Sequence, residues 1–224
     1  MTRSLQSRKR QLVQDAIYDA AIELFAKHGF DETTVEEVAD AAGISRRSFF
    51  RYFESKDDLL ALNTVHCGEA ICETVQSCPP NLSLLDVVRE TVLAGVRFTE
   101  AQKLTRQIIE ISARSTSARQ AHLSRLMEVE DKVAAAFAAR MKVKSRYNVR
   151  PVLLAGLSQL LINAATASWF MEEHKNIIAA AQHGFLSLTE IFCDEPAVTS
   201  DAFAAPIKKV RALKAPPKPR NRKK

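Results

Sequence analysis

The sequence predicts an all-α fold: three short helices at the N-terminus, ahead of a larger helical part. Three observations carry this. The 224 residues contain only six glycines. Apolar residues recur at spacings of three and four almost throughout, while the two-residue alternation of a half-buried strand fails wherever it is tested. Side chains that cap helices, followed by glycine or proline, punctuate the pattern at helix-sized intervals.

Val13, Ile17, Ala20, Ala21, Leu24 and Phe25 repeat at helical spacing over residues 9–28, and Gly29 supplies the residue that commonly ends a helix. Thr33 and Thr34, each followed three residues later by Glu36 or Glu37, read as two overlapping capping boxes for a second helix over 34–42, with Val35, Val38, Ala39 and Ala42 as its apolar stripe. Gly43, Ile44 and Ser45 then make a turn in which Ser45 caps a third helix, 46–52. Phe49 and Phe53 lie four apart and face inward, while Arg47 and Arg51, also four apart, share the opposite face. Ser55 with Asp58 opens a long fourth helix that Pro79 and Pro80 stop. Beyond Leu82, amphipathic helix continues to about Phe192, with breaks expected near 101–102, 115–117, 144–151 and 173–176.

Composition narrows the class. With 46% hydrophobic and 26% charged residues the chain reads as an ordinary globular protein. The expectation is that no stretch of about 18 uncharged apolar residues exists and hence no membrane-spanning helix, and the polar, basic first ten residues do not read as a secretory leader, so a cytoplasmic location is expected. Cys67, Cys72, Cys78 and Cys193 are too few and too uneven for a disulfide framework. The first three lie five and six apart, so one helix face does not gather them into a metal or redox site. The formal charge of +6 is misleading: residues 208–224 hold nine Lys and Arg and no acid, and the remaining 23 bases face 26 acids, a net of −3. The proline-punctuated tail reads as a disordered, solvated appendage able to add salt-sensitive, sequence-independent phosphate affinity.

Three short helices with a glycine turn between the second and third are the layout of a helix-turn-helix. Anchored by Phe49 and Phe53, the third helix presents Arg46 at its tip and Arg47, Ser48, Phe50 and Arg51 on its outer face. The planar guanidinium fork matches paired acceptors on guanine or a phosphate, so this face suits the major groove. Thr34 and Lys56 stand at the starts of the flanking helices, where the helix dipole favours an anion.

The runs Phe30-x-x-Thr33-Thr34-Val35-x-x-Val38-Ala39-x-x-Ala42-Gly43-Ile44-Ser45 and Phe49-Phe50-Arg51-Tyr52-Phe53-x-Ser55-Lys56-x-x-Leu59 resemble the N-terminal domain of TetR-type transcriptional regulators over residues 10 to 60. The resemblance implies an all-helical homodimer whose N-terminal domains grip a double-stranded DNA operator and whose larger domain binds a small effector. Carried over by position, Thr34, Arg46, Arg47, Ser48, Phe50, Tyr52 and Lys56 fall where family members touch DNA. This chain has Arg47 where glycine is frequent and Phe50 where tyrosine is usual. The missing hydroxyl removes one phosphate hydrogen bond and leaves Phe50 to meet a sugar or a thymine methyl. The Ser-Arg-Arg-Ser-Phe-Phe-Arg-Tyr-Phe version of the motif is similar to a subgroup that includes the mycofactocin regulators, which implies an effector of the acyl-CoA type.

The expected organisation is therefore a flexible arm (1–8), a helix-turn-helix domain (9–56), a helical effector-binding and dimerisation domain (57–194) and a disordered basic tail (195–224). Phe98, Met127 and Trp169 are the candidates to line a ligand cavity, with Trp169 first because a buried indole N–H needs a partner. The apolar helices around 152–170 and 177–192 suit an intermolecular four-helix bundle. No nucleophile, base and orienting group stand together in the sequence, no metal-ligand spacing is present, and no cofactor is expected. The expected mechanism is ligand-driven movement of the fourth helix that alters the spacing of two recognition helices. A helical binding protein or enzyme, and an architectural DNA binder driven by the tail, are the competing readings.

Overall fold

The computed structural model describes residues 5–144 and 148–193, and among them every regular element is a helix. The tail, and with it the expectation of disorder there, lies outside the described residues. The order is α1 (Leu5–His28), α2 (Val35–Ala41), α3 (Arg46–Phe49), α4 (Lys56–Ser77), α5 (Leu84–Ala101), α6 (Thr105–Arg114), α7 (Thr116–Arg140), α8 (Val149–Phe170) and α9 (Ile177–Cys193). The chain divides into one compact unit up to Leu186 and a second from Ser187 onward.

Local chemistry explains most boundaries. Thr34 and Ser55 close reciprocal capping boxes with Glu37 and Asp58 at the starts of α2 and α4, and Ser45, Ser83 and Ser115 cap α3, α5 and α7. Gly43 follows α2 at φ +67, a left-handed conformation that a Cβ would strain.

Four expectations are corrected. α1 begins at Leu5, so residues 5–8 of the expected arm are helical. The second capping box does not form: Thr33 is buried and donates its hydroxyl proton to the Gly29 carbonyl at 2.7 Å, because the turn after α1 folds it under the domain. α3 is shorter than expected. It ends at Phe49, after which Arg51 and Tyr52 donate backbone bonds to Ser48 and Phe49, a tightened turn that swings Phe53 beneath the helix. Finally, α8 is long and apolar enough to cross a membrane by length and composition, since residues 151–171 carry no charge. It packs Ala155, Ser158, Ile162 and Ala165 inward against α5 and α7, but Val152, Leu153 and Leu160 remain exposed.

Two apolar cores form. One gathers Phe25, Phe30, Val38, Phe49, Phe53 and Leu59 of the N-terminal domain, and α6 and α7 contribute Ile108, Ile111 and Ala118 to it. The other holds Ile71, Val92, Val133, Phe137, Ile162 and Ile177. α4 belongs to both, with Leu59 and Leu60 in the first and Ile71 and Val75 in the second. At Gly68 a Cβ would stand 2.6 Å from Val129, so glycine is what lets α4 and α7 approach. A rigid helix shared by two cores carries displacement from one to the other.

Candidate nucleic-acid interface

The recognition surface is built on two phenyl rings. Phe49 is fully buried and Phe53 nearly so, their centroids 5.8 Å apart, while the Phe49 ring also meets Phe50 edge-on at 5.4 Å. Burying two such side chains contributes about 2 kcal/mol each and leaves α3 no freedom to roll. Ser45 accepts the Ser48 backbone N–H at 3.1 Å, and the two hydroxyls lie 3.0 Å apart, which sets the tip of α3. Phe50 stands 46% exposed on the outer side of this turn.

Arg47 is exposed, and its side chain makes no ion pair or hydrogen bond among the described residues. Arg51, in the turn after α3, is exposed and stacks over the Tyr52 ring at 5.8 Å. Arg46 is exposed but paired: its Nε lies 3.0 Å from Glu36 of α2, and its guanidinium stands 5.6 Å from the Phe50 centroid. The pairing with Glu36 has no local signal in the sequence. A surface pair of this kind contributes little and opens readily.

Two expected contacts are already engaged within the domain. The Thr34 hydroxyl donates to Glu37 Oε2 at 2.9 Å and accepts the Glu37 N–H at 3.2 Å. Bonds from the Thr34 backbone and side chain hold the Glu37 carboxyl below its ordinary value. Lys56 departs further from expectation. Its ammonium donates to the carbonyls of Phe30, Asp31 and Thr33 at 2.7, 3.1 and 3.1 Å and sits 4.7 Å from the Phe30 centroid. An ammonium has three protons, and all are spent on the loop between α1 and α2. Lys56 is therefore a loop clamp, brought there because α4 starts beside that loop, and no proton remains for a phosphate.

Phe98, Met127 and Trp169, the expected ligand-cavity residues, are not among those lining the two cavities described below. Met127 is 73% exposed, because the helical period that turns His122, Leu126 and Val129 of α7 inward turns Met127 out. Phe98 is half-buried elsewhere, and Trp169, also half-buried, lies under the Arg106 guanidinium at 4.5 Å. A cavity of about 110 Å³ opens among α4, α5, α6, α7 and α8, with Thr64, Cys67, Ile108, His122, Val129 and Ile162 in its wall. The Thr64 hydroxyl and His122 Nδ1 lie 3.2 Å apart across it. Burial pushes the Cys67 thiol up to about 11 and pulls His122 below its ordinary value, so both are neutral near pH 7. A larger cleft of about 300 Å³ between the end of α1 and α6 is lined by the charged Lys27, Asp31, Glu32, Glu110 and Arg114 together with Phe25, Phe30 and Ile111.

Polar ties join the recognition head to α7, and sequence reading missed them. Asp31 accepts hydrogen bonds from Ser117 and, at 2.8 Å, from Ser115, which together hold its carboxyl below the ordinary value. Arg125 donates to Asp58, the carboxylate that closes the α4 capping box. The partners are 84 to 86 and 67 residues apart.

Residues 17–62 match the family described as bacterial regulatory proteins, tetR family. Among similar chains, TcmR of Streptomyces glaucescens, an HTH-type transcriptional regulator, is 25% identical over 78% of this chain and 80% of its own length. MftR of Mycobacterium tuberculosis, whose name attaches it to regulation of mycofactocin biosynthesis, is 28% identical over 80% of this chain and 90% of its own. Among solved structures, NalD, the secondary repressor of the MexAB-OprM multidrug efflux pump in Pseudomonas aeruginosa, superposes with a TM-score of 0.58 at 19% identity, covering 81% of this chain and 96% of its own, which is a likeness of fold.

Proposed function

For a chain that carries the N-terminal domain of the TetR family of regulators, we propose the function of a sequence-specific DNA-binding repressor, acting as a homodimer and released from its operator by a small effector. The observation that carries this is α3, a four-residue helix clamped by Phe49 and Phe53 that leaves Arg47, Phe50 and Arg51 exposed. Arg47 reads a base edge, Arg51 and the Arg46 tip engage phosphate or base, and Phe50 meets sugar or a thymine methyl. Ser48 and Tyr52 flank this surface. Thr34, Lys56 and the ties from α7 hold it in place.

Two recognition helices must stand about 34 to 36 Å apart to enter successive major grooves. The apolar face of α8 supplies a pairing surface for a second copy, since Val152, Leu153 and Leu160 stand exposed among the described residues. An effector that binds the released geometry more tightly shifts the population away from the operator. The chain works in the cytoplasm, where the DNA is, and carries out no chemistry.

The test is selection of bound duplexes from a random pool, followed by titration of the recovered sequence. A two-fold symmetric site is expected, with Arg47→Ala costing about 1 to 3 kcal/mol and relaxing one position of each half-site. Equal affinity for every duplex, unaffected by Arg47→Ala, would sink the proposal. If the basic tail drove binding instead, removing residues 208–224 would abolish it; a modest, salt-dependent loss is expected.

A further inference from the structure

We propose that the cavity among α4, α5, α6, α7 and α8 takes an uncharged ligand of about one substituted ring that donates a hydrogen bond, such as a small phenol, and refuses carboxylates, ammonium groups and phosphates. This rests on the proposed function, a repressor released by a small effector, and takes this cavity as that effector's site.

None of its lining residues is an Asp, Glu, Lys or Arg. An ionised ligand would have to leave water for a wall without a counter-charge, which costs several kcal/mol or more. The same fact turns the effector away from the acyl-CoA type, whose phosphates need cations. At about 110 Å³ the cavity is of the order of an engineered cavity of about 150 Å³ that holds benzene in another protein. Ile71, Ile108, Leu126, Val129 and Ile162 supply the apolar wall for a ring.

The polar side of the wall holds threonine acceptors whose own protons are spent, beside the amide groups of Asn63, Gln159 and Asn163, which can donate. Thr99 donates its hydroxyl to the Gly95 carbonyl, Thr105 to Thr99 and Thr166 to Ile162, at 2.8 to 2.9 Å. The Cys67 thiol donates to Gly95 at 3.8 Å, and Gln159 Nε2 is engaged with Asn163 at 2.8 Å. The oxygens of Thr99, Thr105 and Thr166 therefore keep acceptor lone pairs and no free proton. A ligand hydroxyl satisfies those acceptors; a ligand with acceptors alone leaves them unmatched.

Full-length protein is titrated by calorimetry with phenol, toluene, benzoate and benzylammonium, and operator binding is measured on the same preparation. The expected result is saturable binding of phenol at least tenfold tighter than toluene, no binding of either ion, and loss of phenol binding in Leu126→Trp, which fills the cavity. Thr166→Val, which removes one acceptor without changing volume, is expected to narrow the phenol-to-toluene ratio. Ions binding as tightly as phenol, toluene matching phenol, or no binding by any of the four overturns the inference. Intact operator binding in that case leaves the DNA-binding reading standing; phenol that binds as expected without weakening operator affinity supports the ligand class and sinks the effector role.

Discussion

Arg125 of α7 grips the carboxylate of Asp58, the same carboxylate that closes the capping box at the start of α4. The tie links two cores. Ser115 and Ser117, near the start of α7, hold Asp31 of the recognition head, and His122 between them and Arg125 faces the cavity. One helix thus touches the head at two places and the cavity between them, so a ligand that displaces α7 pulls on the loop before α2 and on the first turn of α4.

Replacing Arg125 by Ala tests that linkage. The Arg125 side chain is one-third exposed and screened by solvent, so stability should fall by only about 1 kcal/mol in chemical denaturation. Asp58→Ala, which also removes the cap, should cost about 1 kcal/mol more. Equal losses for both variants would contradict the double role of Asp58.

Lys56→Met removes three hydrogen bonds to the loop between α1 and α2 and should destabilise the protein by about 1 to 3 kcal/mol. Operator affinity should drop with it, yet the slope of log affinity against log salt should not change. A slope smaller by about 1 would identify Lys56 as a phosphate contact instead.

Glu36→Gln frees Arg46 and removes an anion from beside the recognition helix. Operator affinity measured by fluorescence anisotropy should rise roughly two- to fivefold, the equivalent of a surface pair. A fall in affinity would show that Glu36 positions Arg46 for the duplex.

His122 makes stability depend on pH. Burial lowers its pKa in the folded chain below the ordinary 6.5, so the unfolded chain binds the proton first on acidification. The contribution of this group is complete above about pH 6.5 and declines as pH falls below that value. His122→Asn should flatten the thermal midpoint between pH 7 and 5. An unchanged pH profile in the variant would place the acid sensitivity elsewhere.

Leu153→Glu with Leu160→Glu puts two charges on the exposed face of α8. Sedimentation should report a monomer with unchanged helix content and operator binding lost, because one recognition helix alone forfeits half the contacts. A dimer that survives both substitutions moves the interface off α8.

Much of the recognition head was legible because its determinants act over short separations. Thr34 with Glu37, Ser45 with Ser48 and Ser55 with Asp58 each close within three residues, so the starts of α2, α3 and α4 follow from local chemistry. The spacing of Phe49 and Phe53 likewise decided which side of α3 is buried. Only tertiary structure decided what the charged groups do. Lys56 finds carbonyls 23 to 26 residues away, Arg46 finds Glu36, and Arg125 finds a carboxylate 67 residues away. A long flexible cation pairs with whichever acceptor the packing brings near, and periodicity carries no information about that. The same reason explains the cavity: spacing indicates which side of α7 turns inward, but the wall is set by five helices meeting, and Gly68 lets α4 and α7 meet closely beside the facing pair His122 and Thr64.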